Sequence, residues 1–551
     1  MPQPAVASND PLALTDEVLG AVTECKADIQ KTKRAVGRVN TPAHVARWMA
    51  REAVKVLARL HTTPTIVEPA AGSGVIIAAL VEAMGRRRAA LRSVWAIDKD
   101  PAVKIAAGHR LRLSLGTTAE PWLRRQYRVG DALLDSSLVP NKPIDLIIGN
   151  PPYLGVRHAK RLPNYETWKN RFGVSEDLYA FFIRWAMKTV RPGGHVLLLV
   201  PDGWLTQSSY EDLRCELLQG RLQTVVRLPA GTFDCHVLPS FFLWRKTRPR
   251  SNVVRYIDAR AQHSESRNAV YKLKQSAFAA APGRIIFMPT PKAKALSRTL
   301  SLAKGLARPL SDVAGITDVG IHSRNCRHRL FYARRTKTGL HRLLQGRQIE
   351  PYVLRWNSPK AQYRWVDIHY EPKADRRGRR GNGQLSVRPE YWDWQGDPAI
   401  HRLPERILIR QTGDRIVAAR CLQNHNHHYT DNTLFTAVLT ESARSAGITY
   451  PYLLAYLNAA IVSDLYRFLS GEQGRAQAQI KISLLRRLPF VLPTPRSVAR
   501  IGSIVHRIER AANGPSVKKE QTKIDRHFAR LFVAATNGML AQSPGPTCPG
   551  F

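Results

Sequence analysis

The sequence is poor in cysteine, in acidic residues and in uninterrupted hydrophobic length. Its 551 residues include six cysteines, Cys25, Cys215, Cys235, Cys326, Cys421 and Cys548, and none forms a C-x-x-C pair. That scatter argues against a zinc knuckle or a disulfide scaffold and for reduced thiols in a cytosol. The longest purely apolar runs, such as VLLLV at 196–200, are strand-length and too short to span a membrane. The first 25 residues carry Asp10, Asp16, Glu17 and Glu24 and no apolar core of a secretory leader. One histidine cluster, NHNHH at 424–428, has no Cys or acid at ligand spacing and reads as a polar loop, so no metal site is expected. There is no internal repeat, and the last stretch, AQSPGPTCPGF at 541–551, reads as a disordered tail. A soluble, intracellular protein is expected.

Acid is scarce relative to base. Lys and Arg number 84 against 42 Asp and Glu, a formal net charge of +42. So large an excess points to a polyanionic partner, most simply nucleic acid. The apolar fraction, 44%, is ordinary for a folded chain of two or three domains.

Hydrophobic patterning places the elements. Residues 40–60 read as a helix, with Thr41 as N-cap, Pro42 at the first helical position and an apolar stripe through Val45, Trp48, Met49, Val54, Leu57 and Leu60. Four strand-length runs follow, each ending at a polar corner: TIVEPAAGSG, SVWAIDKDP, YRVGDALL and PIDLIIGNPPY. Helical segments separate them, and LYAFFIRWAMKTV then RPGGHVLLLVP continue the alternation. This order predicts an α/β fold with a doubly wound, mainly parallel sheet. Glu68, Asp98, Asp131 and Asn150 each fall at or just past a strand's C-terminal end, where such sheets bind ligands. The sheet is expected to finish near residue 262. A second region, 263–535, mixes short strands, turns and basic stretches; Arg324 to Arg347 holds eight Lys/Arg and no acid. KADRRGRRGNG at 373–383 reads as an exposed basic loop. Aromatics interleave with this charge, as suits a nucleic-acid surface, although many of them would serve equally well as core.

The corners carry the chemistry. In EPAAGSG, Gly72 and Gly74 strip side chains from a strand-to-helix turn, so a ligand can approach the backbone. No G-K-[ST] follows and no G-x-G-x-x-G is completed, which excludes the usual phosphate loops. Glu68 would repel phosphate and suits a cation, such as a sulfonium or an α-amino group. Asp98 stands where the ribose-binding acid of nucleotide folds stands, and Asp131 could accept an adenine amino group. A nucleoside with a positive end, S-adenosylmethionine, satisfies all three. Asn150-Pro151-Pro152-Tyr153 then has a use. The lone pair of an exocyclic amine is delocalised into its ring, and two acceptors on its N–H groups draw the nitrogen toward tetrahedral geometry. The Asn150 side-chain oxygen and the Pro151 carbonyl can be those acceptors, with the prolines fixing direction. Tyr153 offers a flat face on which the base can stack.

These motifs, in the order GRVNTPAHVARWM, EPAAGSG, AIDKDP, GDALL, IIGNPPY, DLYAFFIRWA and LPAGTFDCHVLPSFFLW, resemble the gamma-class adenine-N6 DNA methyltransferases with a TaqI-like C-terminal specificity domain. The resemblance covers about residues 37–495. It implies a Rossmann-like catalytic domain at 37–262 after an N-terminal extension, 1–36, a mixed α/β target-recognition domain at 263–535 and a tail, 536–551. S-adenosyl-L-methionine would be held by Thr41, Glu68, Pro69, Ala70, Gly72 and Gly74 at the methionine moiety, by Asp98 and Lys99 near the ribose, and by Asp131, Ala132 and Phe182 around the adenine. Asn150, Pro151, Pro152 and Tyr153 would be catalytic, with Tyr153 and Phe233 against the target base. LLQGRQIEPYVLRW, ERILIRQTGDRIVAA and the segment 452–490 are similar to target-recognition segments, and Arg347, Arg410, Gln411 and Arg475 are candidate DNA contacts. The implied reaction is methylation of a flipped-out adenine in double-stranded DNA, with salt-dependent binding in a cleft between the two domains. The role would be the modification component of a restriction-modification or defence system in a bacterial cytoplasm, at the nucleoid. Any nuclease would be a separate partner, because only about 36 residues precede the first motif. An RNA amino-methyltransferase, a cytosine-N4 DNA enzyme and a protein-glutamine methyltransferase share Asn-Pro-Pro-Tyr or its chemistry and stay open on the residues alone.

Overall fold

The computed structural model describes residues 39–540 apart from 61–62, 86–92, 175, 234–236, 261–267, 304–306, 373–376, 380–384, 423–427, 472–477 and 512–514. The expected extension, the basic loop around 373–383, most of the histidine cluster, His236, Arg475 and the tail lie wholly or largely outside the described residues. Two compact units divide between Thr290 and Pro291. No helix among the described residues is long and apolar enough to cross a membrane.

The first unit is built on a nine-stranded sheet with the order β3-β2-β1-β4-β5-β7-β6-β8-β9. The strands are β1 (Ile66–Glu68), β2 (Val94–Asp98), β3 (Tyr127–Val129), β4 (Leu146–Gly149), β5 (His195–Pro201), β6 (Arg221–Arg227), β7 (Pro239–Arg245), β8 (Val253–Asp258) and β9 (Ala269–Lys274). β3, β2, β1, β4 and β5 all run parallel. β7 enters antiparallel between β5 and β6. The mainly parallel α/β expectation therefore holds, with β7 and β9 as its antiparallel members. The central strands read as unbroken apolar runs because both faces are covered: β4 is buried along its whole length. Chain order reverses between β1 and β4, and the strand ends there open onto the crevice that such a switch creates.

Helix α1 (Ala43–Leu57) lays Val45, Met49 and Ala53 into the core beside α2 (Val75–Met84). Its N-cap is Pro42 rather than Thr41, and no side chain caps it. The reason is competition: the Thr41 hydroxyl accepts a hydrogen bond from Asn150 Nδ2 at 3.0 Å instead. Helix α3 (Pro101–Leu115) has the expected start, with the Asp100 carboxylate accepting from the Ala102 N–H. Helix α4 (Ala119–Gln126) leads into β3. β9 pairs only with β8 within this sheet, and its residues alternate between exposed and half-buried positions after Ala269 and Val270.

Close packing fixes the far end of the sheet. Gly220 follows the helix Glu211–Gln219, and a Cβ there would lie 2.1 Å from the Trp244 ring. Trp244 is buried and donates from Nε1 to the Leu217 carbonyl at 2.7 Å, so it has no room to yield. Gly220→Ala is expected to cost about 1–3 kcal/mol through overpacking; a lowered thermal midpoint of the first unit checks this.

The second unit contains two four-stranded sheets and a group of helices. One sheet orders Ala314–Thr317, Leu434–Leu439, Glu405–Arg410 and Ala418–Leu422, all antiparallel. The other orders Phe331–Tyr332, Trp365–Val366, His341–Leu344 and His428–Thr430. Helices Tyr450–Asn458, Ala460–Ser470, Pro495–Ala511 and Pro515–Leu540 pack together, with Leu453, Tyr456, Val462, Leu465, Ile501 and Phe528 buried.

Candidate active site and recognition surface

Four strand ends converge on one pocket. Val39, Thr41, Glu68 to Ile76 except Gly74, Asp98, Lys99, Gly130 to Ala132, Asn150, Pro152, Leu162, Trp168, Leu178 and Phe182 line it, with about 920 Å³ of open space. Every residue that the sequence reading assigned to a cofactor is in this lining except Gly74. Gly74 is the N-cap of α2 in a left-handed conformation, φ 74°, and a Cβ there would make only ordinary contact with Ala107 and Leu111 at 3.6 Å, so the turn rather than space calls for glycine.

The glycine corner is clamped from three directions. The Gly72 N–H donates to Asp98 Oδ2 at 2.8 Å, and the Tyr127 hydroxyl donates to the Gly72 carbonyl at 2.7 Å. Arg110, fully buried on α3, donates from Nε to the Ser73 carbonyl at 3.0 Å. Gly72 has a φ of 50°, and a Cβ there would meet nothing within 4 Å. Its missing side chain therefore serves a left-handed turn and leaves the backbone open to the pocket. Asp98 Oδ1 also accepts from the Asp100 N–H at 3.0 Å, so one oxygen holds the glycine corner and the other the turn after β2.

Glu68 ends β1 and is 2% exposed, and its Oε2 is buried with no hydrogen-bond partner. Burial first, and the neighbouring Asp98 charge second, hold its pKa well above the usual carboxylate value. A buried acid with an unused oxygen beside a second acid is set to meet a cation. Asp131 is tied by the Leu133 N–H to Oδ1 at 2.9 Å and by Asn164 Nδ2 to Oδ2 at 3.1 Å.

Asn150 is the most constrained polar side chain here. Its Nδ2 donates to the Val39 carbonyl and to Thr41 Oγ1, both at 3.0 Å. A backbone carbonyl can only accept, so this pair fixes which end of the amide is nitrogen. Oδ1 is then the free end, buried and without a partner. Pro151 is buried, while Pro152 and Tyr153 are half-buried. The Tyr153 and Phe233 rings meet edge to face, 5.7 Å apart at 79°. After the corner, the Leu178 N–H donates to the Leu154 carbonyl at 2.9 Å and the Val156 N–H to Asp177 Oδ1 at 2.6 Å. Tyr210 donates to the other Asp177 oxygen at 2.5 Å. The segment following Asn-Pro-Pro-Tyr is thereby pinned to the start of helix α6 (Leu178–Thr189), which follows α5 (Tyr165–Phe172) and carries Phe182.

Sequence reading missed several of these roles. Tyr127 and Val39 lie inside YRVGDALL and GRVNTPAHVARWM but carry no role there, Arg110 lies in no motif, and the bonds of Tyr127, Arg110 and the Val39 carbonyl span 55, 37 and 111 positions. Leu162 and Trp168 belong to a stretch that gave no signal at all. Asp177 had one, since it precedes an apolar helix in EDLYAFF.

In the second unit, three separated segments meet around Arg410. Gln345 and Gln348 form a reciprocal cap on the short turn Gly346–Gln348, which places Arg347 at the surface. The Gly346 N–H donates to Thr433 Oγ1 at 2.7 Å, and the Gln411 N–H to the Thr433 carbonyl at 2.9 Å. The Ile480 N–H reaches the Gln411 carbonyl at 2.7 Å, which ties a third segment to the same place. Arg347, Arg410 and Gln411 thus belong to one cluster. Beside it, Arg342 lies 4.6 Å over the Trp356 ring, which meets Trp365 edge to face at 5.2 Å.

Comparison with known proteins agrees with this division. Residues 17–281 match the family described as N-6 DNA Methylase, and residues 341–490 match the TaqI-like C-terminal specificity domain. A Type II methyltransferase of Thermus thermophilus, M.TthHB8I, is 30% identical over 204 residues, covering 34% of this chain and 40% of that protein. The match thus spans less than half the length of that relative. Among solved structures, the Type IIL restriction-modification enzyme MmeI in complex with DNA superposes with a TM-score of 0.58 at 12% identity, over 95% of this chain and 76% of that one. A DrdV–DNA complex gives 0.54 at 11% identity, over 89% and 59%. At such identities these two speak for the fold alone. The chain carries an N-6 DNA methylase domain followed by a TaqI-like C-terminal specificity domain.

Proposed function

We propose that this chain is a site-specific DNA methyltransferase that transfers a methyl group from S-adenosyl-L-methionine to N6 of an adenine flipped out of duplex DNA. The observation that carries the reading is Asn150, whose amide nitrogen is bonded away so that an unpartnered oxygen remains beside a pocket lined by Glu68, Asp98 and Asp131. When bound, the cofactor would supply an electrophilic methyl on a sulfonium. Glu68 would face its cationic end, Thr41 and residues 69–72 would border the methionine moiety, Asp98 and Lys99 the ribose, and Asp131, Ala132 and Phe182 the adenine. Asn150 Oδ1 and the Pro151 carbonyl would accept from the target amine, aiming its lone pair at the methyl. Tyr153 would stack on the base, worth about 1–3 kcal/mol, with Phe233 fixing the ring from its edge. That gain and phosphate contacts offset the few kcal/mol of unstacking that flipping costs.

The cluster of Arg347, Arg410 and Gln411, with Arg475, is the proposed DNA-reading surface, supported by the specificity-domain match and the charge of +42. The cellular role is modification within a restriction-modification or defence system, beside a separate nuclease.

The test is direct. The purified chain is incubated with S-adenosylmethionine and mixed-sequence duplex DNA, which is then digested to nucleosides for mass spectrometry. N6-methyladenine is the expected product. N4-methylcytosine would move the target base, and methylation of RNA alone would overturn the DNA reading.

A further inference from the structure

Part of the pocket lining comes from residues between Asn-Pro-Pro-Tyr and α6. Leu162 and Trp168 supply it, and Trp168 sits on the helix Tyr165–Phe172. That part is anchored at the adenine end of the proposed site. Asn164, the residue before the helix, donates to Asp131. The Trp168 ring lies against Phe181 on α6, with centroids 6.3 Å apart, and the Lys99 ammonium stands 5.8 Å from its centroid. Trp168 is 2% exposed, yet its Nε1–H is buried without an acceptor. A buried indole N–H normally finds a partner, and leaving one unmade costs about 1–3 kcal/mol.

A purine edge presents an amino donor beside ring-nitrogen acceptors. Asp131, as a carboxylate, can only accept, so it meets the amino group and leaves the ring nitrogens to a separate donor. An indole N–H can only donate. We infer that Trp168 is a cofactor-binding residue whose Nε1–H donates to a ring nitrogen of the cofactor's purine, with Lys99 and Phe181 holding the indole in place. This rests on the S-adenosylmethionine reading and goes further by naming the donor that makes the pocket select adenine.

Calorimetry of the full chain with S-adenosylhomocysteine tests both levels separately. No binding by the unaltered protein would defeat the cofactor reading itself. Given binding, Trp168→Phe, which keeps an aromatic ring against Phe181, is expected to weaken affinity about tenfold. The 1-deaza, 3-deaza and 7-deaza forms of S-adenosylhomocysteine identify the acceptor. One of them should bind the unaltered protein about tenfold more weakly than the parent, yet bind Trp168→Phe as well as the parent does. A merely structural tryptophan would not produce that coupling. If Trp168→Phe melts early, benzothienylalanine at position 168 preserves the ring shape and removes only the N–H, with the same expectation. Undiminished affinity in the substituted protein, or penalties that simply add for all three analogues, would overturn the inference.

Discussion

Replacing Asn150 by alanine is expected to lower methyl transfer by about a hundred- to a thousandfold, the usual loss when one preorganised polar group at a reacting centre is removed. Affinity for S-adenosylmethionine should change by less than about threefold, because Asn150 touches only the edge of that pocket in the proposed arrangement. The split follows from how the side chain is held. Its nitrogen is spent on Val39 and Thr41, leaving Oδ1 as the one group with chemistry to offer. Asn150→Asp should be no milder, since a carboxylate oxygen would then face the Val39 carbonyl oxygen. Thr41→Val removes one of the two acceptors and leaves the other, so a smaller loss, about tenfold, is expected there, with Thr41→Ser near the unaltered rate. Single-turnover rates beside calorimetric affinities decide the matter. A parallel loss of binding and rate in Asn150→Ala would make Asn150 a cofactor ligand instead.

The second large effect belongs to Glu68. Its raised pKa means that the ligand-free fold prefers the neutral acid. The folded value lies above the unfolded value of about 4.5, so this group's contribution to stability is fully present below pH 4.5 and is lost as pH rises through the folded value. Glu68→Gln should remove that slope, read as the pH dependence of the thermal midpoint without cofactor. A cationic ligand reverses the preference: it favours the carboxylate and expels the proton. Binding of S-adenosylmethionine below the raised pKa should therefore release up to one proton, measured as a heat that varies with the ionisation enthalpy of the buffer. Glu68→Gln should abolish this release and weaken binding by about ten- to a hundredfold, the range for a hydrogen bond or contact to a charged group. Buffer-independent heats in the unaltered protein would show that Glu68 does not meet the positive end of the ligand.

The strand-end residues were legible in the sequence because parallel sheets expose function at one edge. A strand of apolar residues followed by Glu68, Asp98, Asp131 or Asn150 announces both the element and the place where it stops. The antiparallel entry of β7 between β5 and β6 was not legible, since a fully buried strand reads the same in either direction. Thr41 has the chemistry of a helix cap and precedes a proline, so local rules assigned it to the helix. A partner 109 positions away claimed its hydroxyl, and no local rule could see that bond. Trp168 was silent for a similar reason: an aromatic on a short helix reads as core, and 2% exposure agrees. Only its buried, unsatisfied nitrogen and its place beside Asp98, Lys99 and Asp131 set it apart.

The outermost strand of the first unit's sheet has a consequence for how the protein behaves in a crowded solution. β9 pairs with β8 on one side, and its other side is unmatched within that sheet. An unmatched strand is a template on which other chains can polymerise. Here Lys272 and Lys274 stand exposed along it, with Ala269, Val270, Tyr271 and Leu273 as its apolar members. Two such rims brought together would set ammonium against ammonium across one ladder. The same excess of base that suits a polyanion would keep copies of this chain from adding strand to strand.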